Sequence, residues 1–138
     1  MKILKTIDGP DSPLQHLGPD YFKIFKYYRD YGPNFQYAAA EYYDRCSYRC
    51  VYCITESQGK TRMRGVSSAD AFEAQFEKEV SALDDRWVVC LGAACDPYSE
   101  LEPELGLTRR ALEVLRRHKL RFTVTTKSPA IVRDLDIF

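Results

Sequence analysis

No stretch of these 138 residues approaches the roughly 18 consecutive apolar positions of a membrane span, so no membrane association is expected. Charge of one sign is missing too. Twenty Lys and Arg balance 20 Asp and Glu, which leaves no overall electrostatic footprint for a polyanion. The opening segment, Met1 to Leu17, mixes charge, Gly and Pro and lacks the apolar centre of a signal peptide. Histidine is scarce, and His16 and His118 lie in contexts that do not suggest a metal site. The five cysteines are odd in number, which suits a disulfide framework poorly, and thiols survive best in a reducing compartment. These absences point to a soluble cytoplasmic protein, long enough for one core and therefore one domain by default. Internal repeats and low-complexity tracts are also lacking.

What is present is concentrated in one run, Cys46-Ser47-Tyr48-Arg49-Cys50-Val51-Tyr52-Cys53, a C-x3-C-x2-C triplet. Three thiolates on one tight loop suffice for three irons of a [4Fe–4S] cluster and leave the fourth iron without a protein ligand. An open iron lets a small molecule complete the coordination. Structural zinc usually takes four ligands, often two C-x2-C pairs or added histidines, and no second pair accompanies the triplet. Zinc, a disulfide and coincidence remain the alternatives to a cluster.

The rest of the chain reads as alternating strands and helices. Residues 1–34 are rich in Pro, Gly and Tyr and are expected to form an irregular arm, with 35–138 as the core domain. Within the arm, the aromatic and basic stretch Tyr21 to Tyr28 could stack on bases, but burial against the domain is the plainer expectation. Phe35 to Tyr43 suits a buried strand that delivers the chain to the cysteine loop. Ser67 and Asp70 look like a capping box, and Phe72, Phe76, Val80 and Leu83 recur at helical spacing, which predicts a helix over Ala69–Asp84. Trp87 to Leu91 is a continuous apolar run typical of a strand covered on both faces. Thr108 is the expected N-cap of a helix carrying Ala111, Leu112 and Leu115 on its apolar face. Arg121 to Thr126 predicts a third strand, and Ser128-Pro129 opens a third helix. The order β-α-β-α-β-α implies an α/β fold with a parallel sheet, whose ligand site lies at the C-terminal ends of the strands. The cysteine loop, Gly92 to Tyr98 and Thr125 to Ser128 all fall there.

At these residues the sequence resembles the radical S-adenosylmethionine (SAM) superfamily, through the triplet and the aromatic Tyr52 just before its third cysteine. Asp96-Pro97-Tyr98, Leu107-Thr108-Arg109-Arg110, Thr126-Lys127-Ser128 and the end Ile131 to Asp136 are similar to its spore photoproduct lyase-related branch. The resemblance runs from about Tyr37 onward. It implies the N-terminal half of a partial TIM-type (β/α)6 barrel. It also implies Cys46, Cys50 and Cys53 as cluster ligands, SAM on the open iron, and a 5′-deoxyadenosyl radical that abstracts hydrogen from a substrate. Tyr52 corresponds to the aromatic position beside the SAM adenine, or packs the loop. Asp96 corresponds to a position near the SAM amino group, or forms a turn. Lys127 suits the SAM carboxylate, or is simply solvated. Cys95 lies close to the loop position of the lyase's hydrogen-donating cysteine, whereas Cys90 reads as a small hydrophobe in a strand. A flavodoxin- or ferredoxin-type electron donor is implied as partner.

Three βα units are half of the family's usual six. The expectation is a fragment, a truncated product or one part of a split enzyme, with a partner chain or a missing C-terminal half. A non-catalytic cluster- and SAM-binding subunit and a DNA-lesion lyase are the alternatives. Arg109, Arg110, Arg116, Arg117, His118, Lys119 and Arg121 form a local basic cluster, expected to be a solvated face offset by Glu100, Glu102, Glu104 and Glu113.

Overall fold

The structure, a computed structural model, describes residues 24–28, 36–53, 59–64 and 67–138. Its centre is a four-stranded sheet of order β1-β2-β5-β6, comprising β1 (Phe25–Tyr28), β2 (Gln36–Ala40), β5 (Trp87–Leu91) and β6 (Arg121–Val124). The last three strands run parallel, with Ala40 beside Leu91 and Leu91 beside Val124, while β1 pairs antiparallel to β2. Parallel neighbours need crossovers, and helices supply them. α1 (Ala69–Val80) lies between β2 and β5 in the chain; α2 (Glu102–Leu105) and α3 (Leu107–Arg117) lie between β5 and β6. A two-stranded ribbon, β3 (Tyr43–Asp44) with β4 (Arg62–Met63), stands at the base of the cysteine loop.

Apolar periodicity explains the packing. Phe72, Phe76 and Val80 of α1 meet Leu107, Ala111, Leu112, Val114 and Leu115 of α3 in one core with Val89 and Leu91 of β5. A chain of tilted rings crosses it, with Tyr42–Phe72 at 5.0 Å, Phe72–Phe76 at 5.4 Å and Phe76–Phe25 at 5.0 Å between centroids. Ala38, Ala39 and Ala40 are all buried, as expected of a central strand covered on both faces.

The three parallel strands and the helices α1 and α3 fall where the sequence places them, whereas β1, α2 and the β3–β4 ribbon have no counterpart in that reading, and several boundaries and caps differ. The expected strand over 35–43 is split, because the chain leaves the sheet after Ala40 and re-pairs as β3. Helix α1 stops at Val80 rather than Asp84, and its N-cap is Ser68, whose hydroxyl accepts from the Ala71 N–H at 3.1 Å. Ser67 therefore does not make the capping box. Thr108 lies one residue inside α3 and caps nothing. Gly106, at φ +63°, ends α2 and starts α3, and the Glu102 carboxylate takes over the capping by accepting from the Thr108 and Arg109 N–H groups. Strand β6 ends at Val124, two residues early. The third helix is a 3-10 helix, Pro129–Asp134, capped by Ser128.

Part of the expected irregular arm is sheet: β1 lies within residues 1–34 and pairs along β2, so the boundary at residue 34 separates two hydrogen-bonded neighbours. Ile24 and Phe25 are buried, as expected of the aromatic stretch. Residues 1–23 and 29–34 lie outside the described residues. Strand β6 pairs with β5 on one side, and among the described residues no strand pairs with its other edge. Among them, too, no helix is long and apolar enough to cross a membrane.

Candidate cluster and cofactor site

The three loops singled out by the sequence meet at the C-terminal ends of β2, β5 and β6. They enclose an open cleft of about 380 Å³. Cys46, Tyr48, Cys50, Tyr52 and Cys53 line it from the first loop, Gly92, Ala94, Cys95 and Asp96 from the second, and Thr125, Thr126 and Lys127 from the third. Small-molecule sites span roughly 300–1,000 Å³, so a cofactor-sized ligand fits.

Local backbone chemistry shapes the cysteine loop. Arg45 and Arg49 hold positive φ, 64° and 49°, so the chain turns sharply just before Cys46 and Cys50. The Cys53 N–H donates to the Cys50 carbonyl at 3.0 Å, and Gly59 N–H donates to the Cys46 carbonyl at 3.0 Å. Below the loop, Arg62 Nε donates to Asp44 at 2.9 Å, and this bond holds the Asp44 carboxyl below its usual range. All three cysteines are reduced thiols and partly exposed. They share one wall, yet among the described residues no three His, Cys, Asp or Glu side chains are grouped so as to hold a metal ion. A zinc ion draws its ligands to one point, whereas a [4Fe–4S] cluster spreads three cysteines over three irons. The donor chemistry fits a cluster, and metal binding commonly completes the ordering of its own ligands.

The β5 loop is a rigid platform. Gly92 sits at φ +96°, where an added Cβ would lie 2.1 Å from the Thr125 carbonyl oxygen. Only glycine lets the β5 and β6 ends approach this closely. Asp96 locks them together: its carboxylate accepts from Tyr98 N–H at 2.8 Å, Thr126 Oγ1 at 2.6 Å and Lys127 N–H at 2.8 Å. The turn reading of Asp96 therefore holds, and the same carboxylate borders the cleft. Tyr98 points away into the core, where its hydroxyl donates to Asp134 at 2.9 Å. Thr108 donates its hydroxyl proton to the Pro97 carbonyl and accepts from Tyr42 at 2.7 Å.

Tyr52 is 67% exposed, and Lys127 Nζ lies 4.3 Å from its ring centroid. Tyr52 and then Cys50 hold the Lys127 ammonium more firmly protonated than usual. Lys127 is thus a cation at the cleft. Cys95 is half-buried on the cleft wall, where burial and then Cys46 push its thiol up to about 11. Cys90 is buried within β5, between Ala39 and Thr123 in the sheet register.

Several residues that matter here escaped the sequence reading. Glu102, expected only to offset the nearby basic cluster, is 1% exposed and accepts from Tyr43 Oη, the α3 N-terminus and Arg133. Asp134, fully buried, accepts from Arg109, Arg133 and Tyr98. Glu100 bonds Ser47 in the cysteine loop and Thr61 beside β4. Buried acids give no sequence signal, because Asp and Glu are usually exposed. The basic cluster is not an open stripe either. Arg109 pairs with Asp134 and Asp136, Arg110 with Asp70 and Glu73, and Arg117 and His118 with Glu77.

The chain matches no family model, no curated protein and no solved structure. A functional reading therefore rests on the triplet, the cleft and the chemistry of the residues around it.

Proposed function

We propose that this chain is a radical SAM protein that holds a [4Fe–4S] cluster through Cys46, Cys50 and Cys53 and binds SAM in the adjoining cleft. One observation carries the proposal: a C-x3-C-x2-C triplet of reduced thiols lines a cofactor-sized cleft at the C-terminal ends of three parallel strands. Held by Cys46, Cys50 and Cys53, such a cluster would supply the one-electron chemistry that cleaves the SAM sulfonium to methionine and a 5′-deoxyadenosyl radical able to take hydrogen from a substrate.

The chain's own residues bind and orient. Three thiolates leave one coordination position to SAM. Lys127 offers its ammonium to the SAM carboxylate, and Tyr52, exposed beside it, offers a face to the adenine end. Asp96 keeps the β5 and β6 loops together, so the cleft walls hold their spacing, and its Oδ2, which accepts a single bond, keeps a lone pair for the SAM amino group. Cys95, protonated at neutral pH, is a candidate hydrogen-atom donor to a product radical. An electron carrier of flavodoxin or ferredoxin type would supply the reducing equivalent. The substrate class is open, and a lesion in DNA is one candidate.

Among the described residues no strand pairs with the outer edge of β6, which favours a second reading, in which the chain contributes its cluster-binding units to a larger barrel completed by further strands. Anaerobic reconstitution followed by iron and acid-labile sulfide analysis tests the cluster. About four of each per chain, lost when Cys46, Cys50 or Cys53 is changed to Ala, is expected. Uptake of zinc alone contradicts it.

A further inference from the structure

Glu100 follows the loop that carries Cys95 and Asp96, yet its side chain reaches back to the cysteine loop. Its Oε2 accepts from Ser47 Oγ at 2.7 Å and from Thr61 Oγ1 at 3.1 Å, while Oε1 accepts from the Thr61 N–H at 3.0 Å. Thr61 is buried and directly precedes β4, so one end of this bridge is anchored in the fold. Ser47 is the first residue after Cys46, on the arm leading to Cys50. Below it, the β3–β4 ribbon and the Gly59–Cys46 bond close the loop's base. The Ser47–Glu100 contact links the arm sideways to the β5 loop, the opposite wall of the cleft.

Hydrogen bonds to an ionised carboxylate are among the stronger polar contacts. This one joins two loops whose relative placement determines whether three thiols and the cofactor cleft face each other. The arm turns through positive-φ residues, Arg45 and Arg49, an uncommon conformation for side-chain-bearing residues that surrounding contacts must maintain.

We infer that Glu100 is a positioning residue: acting through Ser47, it holds the Cys46–Cys50 arm against the β5 loop and thereby controls how firmly the chain retains its cluster. The inference rests on the cluster reading above. Glu100 bonds Ser47 and Thr61, so its effect on the arm is transmitted by the Ser47 hydroxyl.

The test uses the full chain, reconstituted anaerobically, with Ser47→Ala, Glu100→Ala, the double variant and Glu100→Gln. The readouts are the half-life of the cluster's visible absorbance in excess EDTA, the electron paramagnetic resonance spectrum after reduction, and thermal unfolding of the apo chain. Each single alanine variant should shorten the half-life about tenfold, with the double variant no worse, because both break the same link. Glu100→Gln should recover most of the lifetime, since its amide still accepts from the Thr61 N–H and donates to the Ser47 hydroxyl. Altered spectra should accompany the short half-lives while apo melting in Ser47→Ala stays at the wild-type value. Ser47 is exposed, so that variant carries the test even if Glu100→Ala fails to fold. Wild-type half-lives in both single variants, or two effects that multiply, overturn the inference while leaving the cluster reading intact. A wild-type chain that takes up no iron and sulfide overturns both.

Discussion

Replacing Gly92 by alanine should damage this fold far more than the same change at Gly106, although both glycines have positive φ. At Gly92, φ is +96°, and the new Cβ would stand 2.1 Å from the Thr125 carbonyl oxygen and 2.9 Å from Pro97 Cδ. The nearest obstacle is backbone, so no rotamer change relieves it. The left-handed conformation costs an L-residue about 1–2 kcal/mol, and forcing atoms into a packed site costs about 1–3 kcal/mol more. Their sum is about 2–5 kcal/mol, a large share of the 5–15 kcal/mol typical of a domain. The Thr125 N–H bond to the Leu91 carbonyl, 2.9 Å long, is the first to be strained. At Gly106, φ is +63° and no described residue lies within 4 Å, so only the conformational cost of about 1–2 kcal/mol applies. Thermal unfolding followed by circular dichroism separates the two. Gly92→Ala should lower Tm by roughly 10–20 °C and Gly106→Ala by roughly 3–8 °C. Equal losses, or a Gly92→Ala protein melting within about 3 °C of wild type, would refute the close approach of the β5 and β6 ends.

Further outcomes follow from the charge network and the cleft. Arg109 holds the Asp136 carboxyl down to about 2, and Asp134, despite its burial, is held low by Arg133, Arg109 and Tyr98. Both lie below the usual aspartate value of about 3.9, so their stabilisation is full above that pH and is lost as pH falls towards about 2. Arg109→Met should flatten the decline in urea midpoint between about pH 4 and 2; an unchanged slope contradicts the pairing. Glu79, buried on α1, accepts from the Ile24 N–H with both oxygens at 2.9 Å and from Phe25 N–H at 3.3 Å. Glu79→Gln turns one acceptor into a donor facing those N–H groups, and should cost about 1–3 kcal/mol and speed amide exchange at Ile24 and Phe25. Protection at those two amides that survives the change would rule the contact unimportant. Lys127→Met should leave Tm unchanged, because the side chain is exposed, yet weaken SAM binding roughly fivefold, as expected of a solvent-screened ion pair. Calorimetry on the reconstituted chain reads this directly, and wild-type affinity would remove Lys127 from the site.

How much of this was legible depended on whether a residue's role is written in local pattern. Trp87 to Leu91 reads as a buried strand because a continuous apolar run of five has few other uses, and the strand spans those residues. The helix containing Phe72, Phe76 and Val80 was visible from its spacing, while its end was not, because Leu83 continues the period past the point where Ser81 turns its hydroxyl onto the Glu77 carbonyl. Strand β1 was hidden by an aromatic and basic composition without clean alternation; its place comes from pairing with β2 and from Glu79, a contact distant in sequence. The same limit applied to Thr108. Its type suits a cap, but Glu102, six residues earlier, reached the free N–H groups first and left Thr108 to join Tyr42 and Pro97. For the candidate site, parallel order alone brought the three loops together, which is why Cys46, Cys50, Cys53, Cys95, Asp96 and Lys127 line one cleft. The supports behind them, Glu100 and Gly92 above all, act through single contacts between loops that no periodicity announces.

The measurement that bears most directly on the central claim is reductive SAM cleavage by the reconstituted chain. The protein would be loaded anaerobically with iron and sulfide, reduced with dithionite, mixed with SAM and assayed chromatographically for 5′-deoxyadenosine. Formation of 5′-deoxyadenosine that disappears in Cys50→Ala is the predicted result. A fully iron-loaded chain that binds SAM without cleaving it would contradict a self-sufficient radical site, and one that binds neither would contradict the account altogether.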